Sequence, residues 1–240
     1  MSVGHPPKTC SGRADTPHQP IFLSPSERAE LYRELASLYR PPTWERIRGP
    51  LDRLLMRHPG FLLAGQPYLR IAEEMDRMER EVYHLALEVY EAEHVRLFVN
   101  ALEGVAAPPY ASFYREGRIL GRPAQEALAF YRRLQLGPGP ACMDPPDHIA
   151  VELEFLWFLC SLQEDRLARG RREEADSFLQ DQAEFFFLHL FPWAPSFCRK
   201  ILAAGRLAFY SLLAAFTLGF LLEEKKYLER TCPGACPIVP

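Results

Sequence analysis

Several things are missing from this chain of 240 residues, and each absence narrows what it can be. No run of alternating apolar and polar residues is closed by a hairpin-turn dipeptide, which argues against a β-sandwich or barrel. There is no Gly-rich phosphate loop of the P-loop or dinucleotide type and no Gly-x-Ser-x-Gly elbow, so two common enzyme chemistries have no anchor. A formal net charge of −3 supplies no field for nucleic acid. The slight acidic excess leaves room for local acidic patches that could receive a basic peptide. Met1 to Pro20 is rich in Pro, Gly, His and Ser and has no apolar centre, so no secretory signal is expected there and a disordered arm is expected over residues 1–23. The longest uncharged stretch, Leu207 to Leu222, falls short of the roughly 20 apolar residues of a membrane span. Arg206 interrupts its extension, and a buried core helix is expected there.

The six cysteines do not form a disulfide framework. Cys10, Cys142, Cys160 and Cys198 are scattered, two of them within apolar helical patterns, as small buried hydrophobes are. Cys232 and Cys236 make a C-x3-C pair in the tail, residues 231–240, which is half of a zinc site with no second half nearby. Reduced cysteines without a signal point to the cytoplasm.

What is present is helical. Ser24-Pro25-Ser26-Glu27 is a capping box, with Pro25 in the first helical position, and Leu31, Leu35 and Leu38 follow at helical spacing up to Pro41-Pro42. One helix is expected from Trp44 to about His58. A long one should run from about Tyr68 to Ala92, or to Asn100 with a break that makes Val95 to Val99 a separate short helix, with Ile71, Met75, Met78, Val82, Leu85 and Val89 on one face. Gly104 to Arg122 reads as a long aromatic loop, and loops of that length tend to be functional. Further helices are expected from Pro123, from the Asp147 region to Gly170, from Arg171 to Leu190, and from Pro195 to Arg230. The result is an all-α fold of ten helices or fewer over residues 24–230, with a Gly/Pro-rich hinge at residues 137–146.

Two Glu-x-x-His motifs, Glu81 to His84 and Glu91 to His94, have the form used in di-iron bundles. Ten residues apart, they lie about 15 Å apart along a continuous helix and cannot share one centre. Both are expected on solvated helix faces.

The most informative segment is Asp144-Pro145-Pro146-Asp147-His148, followed by the apolar helix Ile149 to Leu156. Asp144 suits a helix N-cap and Asp147 the first turn, at a fixed point on the surface. His148 lies four residues before Glu152, within hydrogen-bonding reach on one helical face. Capping accounts for Asp144 as well as ligand recognition does and for Asp147 less well, and a His beside carboxylates suits ligand recognition or ordinary solvent exposure.

This segment resembles the Glu-Pro-x-Asp-His signature of the TorD/DmsD-type redox-enzyme maturation chaperones, relatives of the NarJ group. Asp144 replaces the leading Glu and keeps its charge. The resemblance extends from Leu97 to Glu224: Leu97-Phe98 followed by Pro108-Pro109-Tyr110-Ala111-Ser112, Leu188-His189-Leu190 followed by Trp193-Ala194-Pro195, and the region around Tyr210. It implies an all-helical cytoplasmic chaperone, not an enzyme and without a cofactor. Such a protein binds the twin-arginine signal peptide, or another segment, of a molybdoenzyme subunit, and assists cofactor insertion before export. The implied client-binding residues are Asp147, His148, Pro109, Tyr110, Ser112, Glu152 and Trp193, with Asp147 facing the peptide's arginines and Trp193 either walling a groove or packed in the core. A monomer or a domain-exchanged dimer is expected. The competing readings are a di-iron or zinc helical protein and a general helical interaction module. Nothing in the chain matches a guanine-nucleotide motif.

Overall fold

A computed structural model describes residues 23–65, 70–100, 104–135 and 144–234. Among these the chain forms twelve α-helices and no strand. They are α1 (Pro25–Leu38), α2 (Trp44–Ile47), α3 (Pro50–Arg57), α4 (Gly60–Gly65), α5 (Ile71–His84) and α6 (Leu87–His94). The second half adds α7 (Ala111–Glu116), α8 (Arg122–Arg133), α9 (Ile149–Ala168), α10 (Arg172–Phe185), α11 (Ala194–Ala204) and α12 (Ala208–Thr231). The arm up to residue 22, most of the expected hinge and the end of the tail with Cys236 lie outside the described residues.

The expected α1 is present with its capping box: Glu27 N–H donates to Ser24 Oγ, and Ser24 N–H donates to Glu27 Oε2 at 2.8 Å. Leu31, Leu35 and Leu38 are buried. The helix expected from Trp44 to His58 is broken in two, because Gly49 adopts φ +95° ahead of Pro50, a conformation open to glycine. The long helix is likewise broken at Leu85 and Ala86, where the backbone turns extended without a proline or glycine to announce it. Its expected inward stripe holds at Met78 and Val82, while Val89 is exposed. The 104–122 loop contains α7, α4 follows Pro59 directly, and the expected last helix divides at Gly205 into α11 and α12, so the helix count exceeds ten.

The helices α6 and α10 run on into single π-helical turns, closed by Asn100 N–H to Val95 O and Phe191 N–H to Phe186 O, both 2.8 Å. Such turns insert one extra residue per turn and rotate the following side chains.

The core is organised on α12, which packs on α4, α5 and α11, while α9 packs on α1 and α10. Phe209, Phe216 and Phe220 are buried on α12, and each side chain so removed from water contributes roughly 1.5–3 kcal/mol. Leu207 to Leu222 is thus a core helix, and among the described residues no helix is long and apolar enough to cross a membrane. At the crossing of α4 and α12 the backbones touch: a Cβ on Gly219 would lie 1.6 Å from Phe61 O, and one on Gly65 2.0 Å from Ala215 O. The N-terminus of α12 has no cap of its own. Ala208 N–H donates to Glu81 Oε2 on α5 (2.9 Å), and Arg206 N–H to Glu93 Oε1 on α6 (2.8 Å).

Candidate functional site

The Asp147-His148 turn is built differently from its expectation. Asp144 does not cap α9; its carboxylate binds Arg40, two residues past the end of α1 (2.6 Å), which also grips Glu154 on α9 at 2.9 Å. The N-cap is His148, whose Nδ1 accepts from Ala150 N–H at 3.1 Å. Asp147 lies before the helix and not in its first turn. It is 0% exposed, and His148 is 7% exposed, so the pair sits beneath the surface and not on it.

Asp147 serves another helix. Its Oδ2 accepts from both the N–H (2.8 Å) and the Oγ–H of Ser112, in the first turn of α7. A carboxylate brought from 35 residues away thus satisfies a helix N-terminus that has no cap in its own sequence. The segments bearing the two residues run antiparallel, with Ala111 N–H to Asp147 O (3.0 Å) and Ile149 N–H to Pro109 O (2.9 Å) on either side of a Tyr110–His148 bridge. The Tyr110 and His148 rings meet edge to face at 5.3 Å, and Tyr131 on α8 donates to Pro146 O at 2.7 Å. Pro109 is buried and Tyr110 half-exposed.

Below the turn, Glu152 is fully buried and its Oε2 accepts from Trp193 Nε1–H at 2.9 Å. The expected His148–Glu152 hydrogen bond is replaced by these two separate ones. Burial pushes the Glu152 carboxyl well above the ordinary carboxylate range; Trp193 opposes the shift and Asp147 adds to it. Trp193 is fully buried, at 5.4 Å from the Tyr114 ring, so it packs in the core. Asp147 Oδ1, Glu152 Oε1 and Tyr114 Oη are buried and make no hydrogen bond with the described residues. Burial also lowers His148 to about 4; Asp144 opposes this, while Arg40 and His94 add to it. A neutral ring is what the Nδ1 acceptor role demands.

The seven residues singled out in the sequence therefore converge on one place, with Tyr110 alone among them half-exposed. Arg40, Glu154, Tyr114 and Tyr131 complete it, and no local sequence pattern marks them. The Glu-x-x-His motifs separate: Glu81 caps α12, His84 and Glu91 are exposed, and His94 is buried, not solvated, with its imidazole lowered to about 4 by burial. Among the described residues no group of three or more His, Cys, Asp or Glu is placed to hold a metal. Cys160 and Cys198 are buried thiols pushed up to about 12 by burial.

These features define an all-helical protein whose most distinctive element is a cross-braced loop pair at the start of α9. The chain belongs to the nitrate reductase delta subunit family, whose model matches residues 66–199, more than half its length. Among curated proteins, it is 27% identical to the chaperone protein TorD of Vibrio cholerae, across 88% of this chain and 96% of that one. The TorD of Vibrio vulnificus is 28% identical over 88% and 98%, and that of a Psychrobacter species 28% over 84% and 91%. These relatives agree with the TorD/DmsD resemblance read from the sequence. A crystal structure from Archaeoglobus fulgidus aligns over 81% of this chain and 93% of its own, at 21% identity and a TM-score of 0.48.

Proposed function

We propose that this protein is a redox-enzyme maturation chaperone, not a catalyst. In this reading it works in the cytoplasm, binds the twin-arginine signal peptide or another segment of a molybdoenzyme subunit, and holds it during cofactor insertion. Its relatives named as TorD chaperones support the class of function.

The observation that carries the peptide-binding reading is the unpaired Asp147 Oδ1. One oxygen of this carboxylate is committed to Ser112, while the other is buried without a partner among the described residues. An unsatisfied buried acceptor costs about 1–3 kcal/mol, more when charged. A client guanidinium reaching beneath the Tyr110–His148 bridge would satisfy it with a charge-assisted hydrogen bond. In this reading Pro109 and Tyr110 form the lip, Asp147 and His148 the polar floor, and Ser112, Glu152 and Trp193 hold that floor in place.

Calorimetric titration with a twin-arginine leader peptide tests this. Asp147→Asn should weaken binding by roughly 1–3 kcal/mol. Ser112→Ala removes the hydroxyl half of the brace, keeps the backbone N–H bond and leaves the charge, so it should lower the melting temperature with a smaller effect on affinity. Equal affinities for wild type and Asp147→Asn would reduce Asp147 to a brace.

A further inference from the structure

A second feature lies apart from that loop. Between α3 and α5 runs an open cleft of about 490 Å³. Its floor is Met75, Met78 and Val82, spaced three, four and seven residues along α5, with Met78 and Val82 buried into the core beneath. Met56 and Tyr83 form the lips, and they are 74% and 75% exposed. Large apolar side chains this exposed, continuous with an apolar floor, mark an interaction surface. Methionine suits that role because its unbranched, polarizable side chain repacks against differing partners.

The cleft's charge is one-sided. Asp52, Asp76 and Glu79 border it, and among the described residues Arg48 is the one cation that lines it. The Arg48 guanidinium lies 3.9 Å over the Trp44 ring. Among the described residues, none of the three carboxylates has a cation within salt-bridge distance. The Asp52 carboxyl is raised, first by burial and then by Glu79, with Arg53 opposing. Two mutually repelling carboxylates over an apolar floor favour a cation brought in from outside.

We propose that the α3–α5 cleft is a docking groove for a helical segment of a partner protein, one whose apolar face is bordered by arginines or lysines. The 14 residues of α5 span about 20 Å, so about four turns of such a helix would fit along it. A second copy of this chain fits poorly, because a two-fold contact would set one acidic rim against the other. The chain's own first twenty-two residues hold only Lys8 and Arg13 as cations and no apolar helical stripe. The proposal does not rest on leader binding at the Asp147 turn.

The test uses the full chain and a labelled synthetic helix of about five turns, with leucines three and four residues apart and lysines elsewhere. A scrambled peptide of the same composition is the control. Fluorescence anisotropy should show the patterned peptide binding at least about tenfold more tightly than the scrambled one, with affinity falling as salt rises. Replacing both exposed carboxylates, Asp76→Asn with Glu79→Gln, should weaken it about tenfold at unchanged melting temperature. Hydrogen exchange should slow over residues 50–57 and 71–84 when peptide is added. Equal binding of the two peptides overturns the proposal, as does equal binding by wild type and variant. So does protection centred on residues 108–116, which would place the peptide at the Asp147 turn. Exchange over these residues that slows as protein concentration rises, with no peptide present, also overturns it and assigns the groove to a second copy. Because the probe carries no twin-arginine motif, a failed leader titration and a failed groove titration are separable results.

Discussion

Asp147 and His148 are neighbours in sequence, yet each closes a different helix: Asp147 accepts from Ser112 N–H on α7 at 2.8 Å, and His148 Nδ1 accepts from Ala150 N–H on α9 at 3.1 Å. Two residues thereby fix the relative position of two helix starts. A short motif built this way couples a loop to the core, so substitutions here move stability as well as any surface they support.

The cap made by His148 is sensitive to pH. Its folded-state pKa of about 4 lies below the ordinary 6.5, so the fold favours the neutral ring. Stability is therefore fully present above about pH 6.5 and is lost as pH falls toward 4, because the unfolded chain takes up the proton first. The loss can reach about 3 kcal/mol for this residue. Asn caps a helix without titrating, so His148→Asn should flatten the stability profile across that window in urea melts. His94 and His189, also lowered to about 4 by burial, will leave a residual slope. An unchanged profile in the variant would show that His148 is not the buried neutral cap.

Glu152 has the opposite sign. Its folded pKa is raised by burial, so the neutral acid is favoured. Its contribution is fully present below about pH 4.5 and is lost as pH rises through the elevated folded value. Glu152→Gln keeps an acceptor for Trp193 Nε1–H and cannot ionise. It should raise the melting temperature near neutral pH and change it little in acid. Trp193→Phe, which leaves Glu152 Oε2 unpaired, should cost about 1–3 kcal/mol for the lost bond, besides any packing loss. A Glu152→Gln variant less stable than wild type near neutrality would mean that the charged form is the one the site holds.

Local structure was the legible part of the sequence. The capping box at Ser24, the buried stripe of α1 and the apolar centre of α12 follow from periodicity and from chemistry within four residues. The motif at Asp144 to His148 was legible as a place but not as a geometry. Which carboxylate caps which helix depends on Ser112 and Arg40, 35 and 104 residues away, and a single sequence carries no trace of such pairings. The same reason hid the role of Glu81, which reads as half of a metal motif and serves as a cap for α12. The break at Leu85 and the short helices α4 and α7 are tertiary overrides of weak local preference.

Among the described residues the longest-range side-chain hydrogen bonds join α1 to α12. Arg28 and Glu224 are both buried and paired, with Arg28 Nε–H donating to both carboxylate oxygens at 3.0 Å and Tyr32 Oη–H to Oε1 at 2.9 Å. Breaking a buried pair strands a charge, which costs about 3–5 kcal/mol. Glu224→Ala should lose that much in denaturant melts. The double variant Arg28→Met with Glu224→Leu should recover most of it, since apolar replacement of a buried pair is often neutral. A double variant as unstable as the single one would show that the pair contributes net stability.

Gly219 sets two effects of opposite sign against each other. Replacing a mid-helix glycine by alanine favours the helix by about 1 kcal/mol. Here the added methyl would sit 1.6 Å from Phe61 O, a backbone atom that no side-chain rotation can move aside. Separating α4 from α12 to admit it would loosen the edge-to-face contacts of Phe61 with Phe216 and Phe220, at 5.4 and 5.6 Å. Overpacking of this kind costs about 1–3 kcal/mol and more when backbone must shift, so destabilisation should win. Gly219→Ala should lower the melting temperature by several degrees, at about 2–4 °C per kcal/mol for a chain of this size. Gly65→Ala meets Ala215 O across the same crossing, so once the helices have separated the second methyl should cost less than the first. A Gly219→Ala protein at least as stable as wild type would show that α4 does not lie in backbone contact with α12.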